Sequence, residues 1–366
     1  MMFEERARIL DLDIAPGRRI LAVSDIHANL PYFRGLLEKC GFCGDDELIV
    51  VGDFLEKGEK SLDTLRFLME LSRGGNVHAL CGNCDTWYEI FTMGEEGNAM
   101  SLDYVRARRR GLLWDMFAEC GVDPYALRRL GDAKDLLRER FAGEWSYLSS
   151  LPHAITAGDF IFAHAGVDPS KPLSEHTAEE LMRCDAFMTL GRRFDKWVVA
   201  GHWPVMLYGE NIVSAAPGID REAHIASIDG GCVLKDDGQL NSLVIPDISS
   251  TDFSYIAYDA FPRARVLRDQ AEGGRSYYIR WGDSTVEVLE RGEEFSRCRH
   301  VRTGYEMDIL TKYLFTGERV TGCNDCTDYV LPLRAGDEVG VVEKTSRGYL
   351  VKHNSVSGWY FGELEF

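Results

Sequence analysis

Short apolar runs and segments of helical period alternate along the first 85 residues. Consecutive apolar residues predict buried strands at residues 20–24, 47–51 and 77–80. Between these runs, residues 31–39 and 61–71 place leucine and phenylalanine at helical spacing, which predicts two helices. Alternation of strand and helix is typical of parallel strands joined by right-handed crossovers. Polar groups that follow such strands are expected to gather at the carboxyl edge of one sheet.

The pattern changes after residue 85. Residues 86–150 are charged and helical in period, which predicts a helical insertion that covers the sheet edge; the alternative is a lid that supplies substrate contacts. Trp87 and Tyr88 open this segment and are expected to lie nearest the polar strand ends. Apolar runs and helical spacing then predict strands at 154–157, 159–163, 197–200, 212–215, 223–228 and 240–245, and a helix at 175–182.

A shift in composition divides the chain near residue 246. Residues 1–246 are predicted to form one domain, and residues 247–261 a linker. From residue 262 to 366 the chain has short β-type runs, which predicts a small β-rich region. Its last segment, residues 335–360, resembles a bacterial SH3-like module, so a peptide or protein ligand is expected for this region.

Metal-ligand side chains follow five of the predicted strands. An extended chain alternates faces, so Asp25 and His27 are expected to project to the same side just past their strand. Asp53 is a carboxylate able to bridge two ions, and carboxylate, amide and imidazole groups suit manganese, iron or zinc. Two ions about 3.5–4 Å apart clamp a phosphoryl group and lower the pKa of a bridging water that then attacks phosphorus. The six candidate ligands are Asp25, His27, Asp53, Asn83, His164 and His202.

Each of these residues alone has a plainer explanation. Asp53 could cap a helix, Asn83 could occupy a turn, and His164 could be a core histidine with satisfied hydrogen bonds. Five successive strand ends that all carry such groups make coincidence a poor explanation. The glycines that precede Asp53, Asn83 and His202 would let the backbone turn tightly and approach ions and substrate closely.

The strand-end motifs resemble those of the calcineurin-like metallophosphoesterases, and most closely the PPP-type Ser/Thr protein phosphatase branch. That family has the motifs GDxHG, GDxVDRG, GNHE, HAG or HGG, and GHT or GHxP. The resemblance covers about residues 18–246 and implies an α/β fold, a β-sandwich flanked by helices (αββα), with two divalent ions, manganese first and iron or zinc as alternatives. The matching segments are Ser24-Asp25-Ile26-His27-Ala28, Gly52-Asp53-Phe54-Leu55-Glu56-Lys57-Gly58, Gly82-Asn83-Cys84-Asp85, His164-Ala165-Gly166 and Gly201-His202-Trp203-Pro204.

Three residues depart from the family pattern. Cys84 replaces the histidine of GNHE, which in the family is oriented by the acidic residue, here Asp85, and protonates the leaving oxygen. Glu56 and Lys57 replace the Asp-Arg pair; lysine keeps the positive charge but loses the bidentate fork. Arg183 is expected to be a second phosphate-binding residue, with Arg192 and Arg193 as competing candidates. The resemblance thus implies a catalytic set of Asp53, Asn83, Cys84 and Asp85, with Lys57 and Arg183 on the substrate phosphate.

Composition narrows the choice of partners. The net charge of −18 argues against a broad nucleic-acid surface, although ions in a site would reverse the local field for a phosphorylated substrate. No uncharged apolar span of membrane length and no leader pattern occur, so a cytoplasmic protein is expected. Its ten cysteines are then expected to be reduced thiols. Cys40/Cys43, Cys81/Cys84 and Cys323/Cys326 each have C-x-x-C spacing, but no two of these pairs lie at a usual zinc-finger distance from each other. The first two pairs are expected to be buried thiols, and the third lies in a polar loop that could bind metal or cross-link.

The leading prediction is therefore a metal-dependent phosphatase that acts on a phosphoprotein or a small phosphoester. A dinucleoside polyphosphate hydrolase of the symmetrical diadenosine tetraphosphate type is the main alternative, because Trp203 follows His202 as in that group. A phosphodiesterase is a further alternative, because a GNCD motif also occurs in a phosphodiesterase-type branch. A binding protein with a phosphatase-like fold and weakened turnover is the alternative from a different class.

Overall fold

The computed structural model describes residues 5–316 and 321–366. They divide into two compact units. The first comprises residues 5–204, 217–234 and 239–258; the second comprises residues 205–216 and 235–238 and the described residues from 259 onward. Within the described ranges, no helix is both long enough and apolar enough to cross a membrane.

The described helices and strands are numbered in chain order. The α-helices are α1 (Leu30–Cys40), α2 (Ser61–Ser72), α3 (Glu95–Arg108), α4 (Leu112–Cys120), α5 (Lys134–Arg140), α6 (Ala142–Ser150) and α7 (Ala178–Met182). The strands are β1 (Ile9–Asp11), β2 (Ile20–Val23), β3 (Glu47–Val51), β4 (Val77–Leu80), β5 (Ala154–Ala157), β6 (Phe160–Ala163), β7 (Trp197–Ala200), β8 (Val213–Ser214), β9 (Gly218–Asp220), β10 (Ile225–Ser227), β11 (Leu240–Ile245), β12 (Ser254–Tyr258), β13 (Arg263–Val266), β14 (Tyr278–Ile279), β15 (Val286–Glu290), β16 (Phe295–His300), β17 (Glu306–Leu310), β18 (Leu314–Thr316), β19 (Thr321–Cys323), β20 (Cys326–Thr327), β21 (Glu338–Lys344), β22 (Tyr349–His353), β23 (Val356–Tyr360) and β24 (Leu364–Glu365).

Two mixed sheets form the first unit. One has the order β12-β11-β2-β3-β4, with β2, β3 and β4 parallel and in register at Val23↔Val50 and Val51↔Leu80. The other has the order β1-β5-β6-β7-β10-β9, in which β6, β7 and β10 run parallel. The parallel arrangement predicted from the strand–helix alternation is therefore present.

Strand β2 shows how the layers are built. Ile20 and Ala22 belong to an apolar cluster that joins the two sheets, whereas Leu21 and Val23 belong to a cluster shared with α1, α2 and the helices of residues 95–150. Because successive side chains point to opposite faces, both faces of β2 are buried. A third cluster packs α7 against the outer face of the second sheet. The unit is an αββα sandwich, as the sequence predicts.

Local polar contacts set the ends of the helices. The Asn29 side chain accepts a hydrogen bond from the backbone of Tyr32 at the start of α1, and Gly41 closes that helix in a left-handed conformation. The helix predicted at 175–182 begins only at Ala178, because Thr177 and Glu180 form a capping box there. A side-chain cap thus shortened an element that periodicity alone placed too early.

The second unit is β-rich, as predicted. Its largest sheet has the order β24-β13-β21-β22-β23-β8, with a three-stranded sheet β15-β16-β17 and two short pairs, β14-β20 and β18-β19. The strand predicted at 212–215 is β8, and it pairs with β23 in this unit at Ser214↔Val356. Strand β12 lies inside the segment predicted to be a linker.

Candidate metal centre

The predicted ligands lie in tight loops just past the strands. Asp25, His27, Asp53 and His202 all have left-handed backbones, with φ values of 54°, 49°, 50° and 67°. Such values are uncommon for residues other than glycine and mark sites where the surroundings impose the conformation. The prediction that an extended chain brings Asp25 and His27 together is therefore wrong. The two side chains converge because the chain turns at these residues.

Neighbouring loops hold each other in this shape. The Asp25 amide donates to the Gly52 carbonyl oxygen at 3.1 Å, and the His27 amide donates to the Asp53 carbonyl oxygen at 3.0 Å. These two hydrogen bonds continue the β2–β3 pairing beyond the last sheet residues. They bring the Asp25 and Asp53 side chains close together.

Asp85 ties the third strand end to the second. Its buried carboxylate accepts hydrogen bonds from the amides of Asp53 at 2.8 Å, Leu55 at 3.1 Å and Gly82 at 2.9 Å. The resemblance to the family motif implied that Asp85 orients the residue at position 84. In the structure this side chain positions the Asp53 and Gly82 loops.

Two groups of ligand atoms share Asp53. In one group, single ligand atoms of Asp25, Asp53 and His164 lie within 4.8 Å of one another; in the other, those of His27, Asp53 and Cys84 do. His164 Nε2 is 3.3 Å from Asp53 Oδ1, and His27 Nε2 is 3.7 Å from Asp25 Oδ1. One carboxylate is thus common to two adjacent clusters, the arrangement expected of a bridging ligand.

The backbone fixes which imidazole nitrogen faces the centre. His164 Nδ1 lies 3.0 Å from the Val51 carbonyl oxygen, and His27 Nδ1 lies 3.4 Å from that of Leu55. A carbonyl oxygen only accepts, so each Nδ1 is the donor and each Nε2 is the ring nitrogen that faces the centre. This is the usual outer contact of metal-binding histidines.

Asn83 and His202 occupy the edge of the same cluster. Asn83 Oδ1 is 3.2 Å from His164 Nε2, and the rings of His164 and His202 are 5.1 Å apart between centroids. The His202 amide donates to Asp25 Oδ2 at 2.9 Å, while its Nε2 lies 3.5 Å from the exposed Asp185 carboxylate. The structure therefore brings together the six residues that the sequence nominated.

Among the residues that the structure describes, Asp25 Oδ1 and His27 Nε2 at the centre are buried and have no hydrogen-bond partner. Each of these side chains is only 1% exposed. An unsatisfied polar atom at this depth is costly unless a ligand or ion completes it. The donor set of carboxylate, amide and imidazole therefore fits divalent cations.

The crowding of buried carboxylates around Asp25 also favours a divalent cation at this centre. Burial, then the nearby Asp229 carboxylate, raises the pKa of Asp25 well above its usual value. Burial opposes a charged His164, but the Asp53 and Asp25 carboxylates outweigh it and raise the His164 pKa to about 10. Burial lowers the pKa of His27 to about 4. A divalent cation would relieve the repulsion that these carboxylates feel.

Asp229 is a residue that sequence reasoning missed. It follows strand β10 and is fully buried, and its carboxylate accepts from the Gly231 amide at 2.8 Å. In the sequence, Asp229 is followed by the pair Gly230-Gly231, which is typical of a turn. The available signal was that another apolar strand ends in an acidic residue.

The residues predicted to hold phosphate line one cavity at the centre. Lys57 and Arg183 border a space of about 380 Å³ together with Asn83 and Cys84. Burial, followed by the nearby Asp53 carboxylate, raises the pKa of the Cys84 thiol well above its usual value, so this side chain is a neutral thiol.

Two other arginines near Arg183 in sequence are engaged elsewhere. Arg192 donates to the Val167 carbonyl oxygen at 3.0 Å, and Arg193 lies 3.3 Å from the Glu222 carboxylate. Neither borders the cavity beside Cys84. This leaves Arg183 as the arginine on the cavity wall.

Comparison with known proteins agrees with this geometry. The family model described as calcineurin-like phosphoesterase matches residues 18–206, slightly more than half of the chain. The chain therefore belongs to the calcineurin-like phosphoesterase family, which confirms the resemblance drawn from the motifs. Membership of this family makes the chain a phosphoric ester hydrolase.

The individual relatives either have low sequence identity to this chain or match only a part of its length. A curated symmetrical bis(5′-nucleosyl)-tetraphosphatase from Aromatoleum aromaticum (strain DSM 19018 / LMG 30748 / EbN1) is 39% identical over 69 residues, which is 19% of this chain and 24% of that protein. A candidate diadenosine tetraphosphatase of known structure is 21% identical, with a TM-score of 0.44, over 69% of this chain and 100% of its own. A protein serine/threonine phosphatase from Saccharomyces cerevisiae with similarity to human phosphatase PP5 is 14% identical, with a TM-score of 0.42, over 71% and 85%. The chain thus spans about a quarter of the curated relative's length.

Proposed function

We propose that this chain hydrolyses phosphate esters with two divalent ions held by the strand-end ligands. The observation that carries the proposal is that Asp53 belongs to two ligand groups at once, one with Asp25 and His164 and one with His27 and Cys84. Manganese is the proposed ion, with iron and zinc as alternatives, since oxygen and imidazole ligands suit all three. Ions bound there would polarise a phosphoryl oxygen and supply a water nucleophile near neutral pH.

The chain's own residues would bind the phosphate and face the leaving group. Lys57 and Arg183 supply positive charge at the cavity wall for the phosphate oxygens. Asn83 points its oxygen toward His164 and donates from Nδ2 toward Cys84 Sγ at 3.5 Å. A thiol at position 84 is a weaker proton donor to an alkoxide than an imidazolium. Esters whose leaving groups are already stable as anions are therefore the favoured substrates.

Three substrate types are compatible with this activity. A PPP-type phosphatase acting on a phosphoprotein follows from the motif pattern of the strand ends. A dinucleoside polyphosphate hydrolase is supported by the 69-residue similarity to a symmetrical bis(5′-nucleosyl)-tetraphosphatase. Its leaving group is a phosphate anion, which departs without a strong proton donor and thus suits Cys84. A phosphodiester substrate is the third outcome that an assay must include.

The test is a substrate panel on protein of known metal content. Phosphoserine peptide, diadenosine tetraphosphate and an aryl phosphodiester are compared in the presence of manganese. His202→Ala is expected to lose metal and turnover. His78→Ala removes a histidine of β4 that pairs with Glu47 of β3, and it is expected to retain both. Metal-loaded protein that cleaves none of the three substrates would refute the proposal and favour a phosphatase-like binding protein.

Two further proposals accompany this function. The cytoplasm is the proposed location, and a peptide or protein is the proposed ligand of the SH3-like region at residues 262–366. Co-purification with that region deleted and intact would test the second of these.

A further inference from the structure

The cavity beside the metal centre is lined by both polar and aromatic side chains. Lys57, Arg183, Asn83 and Cys84 are among the polar ones. The volume of about 380 Å³ lies within the roughly 300–1,000 Å³ common for small-molecule sites. A phosphoserine side chain would fill only part of such a space.

Residues of the helical segment supply the aromatic wall of the cavity. The rings of Trp87 and Tyr104 are 5.9 Å apart between centroids and inclined at 44°, and both line the cavity. Met93 and Met100 line it beside them. Tryptophan, tyrosine and the polarisable thioethers of methionine together make a surface suited to a flat ring.

Glu56 holds this wall in place. Its carboxylate is only 3% exposed, and it accepts hydrogen bonds from the Tyr104 hydroxyl at 3.1 Å and the Leu112 amide at 2.7 Å. The Trp87 side chain also donates to it. The aromatic side chains are thus fixed before any ligand arrives, which lowers the entropy lost on binding.

We infer that the cavity receives the planar aromatic ring of a leaving group that departs as a stable anion, such as a phenol or a nucleotide, from the phosphoester held at the metal centre. The inference rests on the proposed phosphoesterase function and names its substrate class. The ring would lie against Trp87, Tyr104 and Met100 while the phosphate meets Lys57 and Arg183. In hydrolysis, water loses a proton to solvent and its oxygen bonds to phosphorus; the bond from phosphorus to the leaving oxygen breaks, and that oxygen keeps the electron pair and later takes a proton from solvent.

Binding of unreactive analogues separates this inference from turnover. Manganese-loaded protein is titrated calorimetrically with two pairs of ligands that differ by a ring: phenylphosphonate against methylphosphonate, and adenosine monophosphate against ribose 5-phosphate. We expect the ring to tighten binding in at least one pair by about 5- to 150-fold, the range for stacking on an aromatic side chain. A stronger effect in the first pair indicates a phenol, and in the second a nucleotide. Equal affinity within both pairs would overturn the inference.

Variants locate the effect. Trp87→Ala should remove most of the gain from the ring, and Trp87→Phe should restore much of it. Met100→Ala changes a side chain that is 69% exposed, so it should fold normally and still weaken the ring-bearing ligands. Trp114→Ala is the matched control, because Trp114 is also half-buried on the same apolar cluster but lines a different cavity.

Two outcomes of these titrations are distinct. If Trp87→Ala weakens ligands with and without the ring equally, the aromatic subsite is refuted even where turnover is normal. If the ring preference is present and Trp87→Ala abolishes it, but the loaded enzyme cleaves no phosphoester, the subsite stands and the hydrolase proposal fails.

Discussion

A methyl group at Gly82 would test how closely the strand-end loops approach each other. A Cβ built at this residue overlaps Asp53 Oδ1 and the Asp53 amide nitrogen. Either the Asp53 side chain turns away or the loop that carries Asn83 shifts. Both movements break the hydrogen bond of 2.8 Å from the Cys84 amide to Asp53 Oδ1. Since Asp53 is shared by both ligand groups, we expect Gly82→Ala to lose both ions.

The expected loss of stability follows from overpacking. Forcing a methyl group into a filled interior typically destabilises a protein by about 1–3 kcal/mol. For a domain of this size each kcal/mol lowers Tm by about 2–4 °C, so Tm should fall by roughly 2–12 °C.

Gly143→Ala applies the same chemical change where the structure offers room. Gly143 lies in α6, and a Cβ there would meet no described atom within 4 Å apart from the backbone of its own helix and its two chain neighbours. Alanine favours a helix over glycine, so this variant should gain about 0.4–1 kcal/mol. The two glycines thus predict shifts of opposite sign from one type of substitution.

Thermal unfolding and elemental analysis decide the result. Gly82→Ala should contain less manganese than the parent protein and melt earlier, whereas Gly143→Ala should keep its metal and melt at the same temperature or later. Gly82→Ala protein with the parental metal content and Tm would refute the close approach of Asp53 to the Gly82 loop.

Three further predictions come from the same contacts. Chelation of the ions should destabilise the first unit, by about 2.7 kcal/mol relative to protein with free metal at 100 times its Kd, and urea unfolding with and without added manganese measures this; an unchanged midpoint would argue against the ions filling the gap between Asp25 Oδ1 and His27 Nε2. Cys84→His should raise turnover of phosphoserine peptide relative to an aryl phosphate in steady-state assays, because an imidazolium can protonate an alkoxide; a fall in phosphoserine turnover with metal content intact would show that the thiol has its own role. Thr177→Ala should remove the capping box of α7 and reduce stability by about 1 kcal/mol, with Thr177→Ser nearly neutral, as followed by Tm; equal losses in both variants would contradict the capping role.

Hydrophobic pattern was enough to place the parallel strands and their helices. Strands β2, β3 and β4 are short apolar runs, and α1 and α2 have leucine and phenylalanine at helical spacing. The ligand types could also be predicted, because carboxylate, amide and imidazole groups recur directly after such strands. These features are local in sequence, and each buried strand repeats the same signal.

The shape of the loops could not be predicted from local pattern. The left-handed turns at Asp25 and His27 depend on acceptors in the next loop, at Gly52 and Asp53, which are more than twenty residues away. Strand β8 is two residues long and is defined by its pairing with β23. In each case a long-range hydrogen bond decides the conformation, and the sequence near the residue carries no trace of it.

The departures from the family motifs lie on one side of the centre. The six candidate ligands match the family pattern, and they face one another around Asp53. Glu56 and Cys84, which replace the family's aspartate and histidine, both border the cavity for the leaving group. Both Glu56 carboxylate oxygens accept hydrogen bonds from the helical segment, one from Tyr104 and one from Leu112. Under the proposed function, the substitutions would leave the metal ligands unchanged and would place a fixed aromatic wall, instead of a strong proton donor, on the side of the leaving group. Such a centre would gain selectivity for leaving groups that bind well and depart as anions, and it would hydrolyse simple alkyl esters poorly.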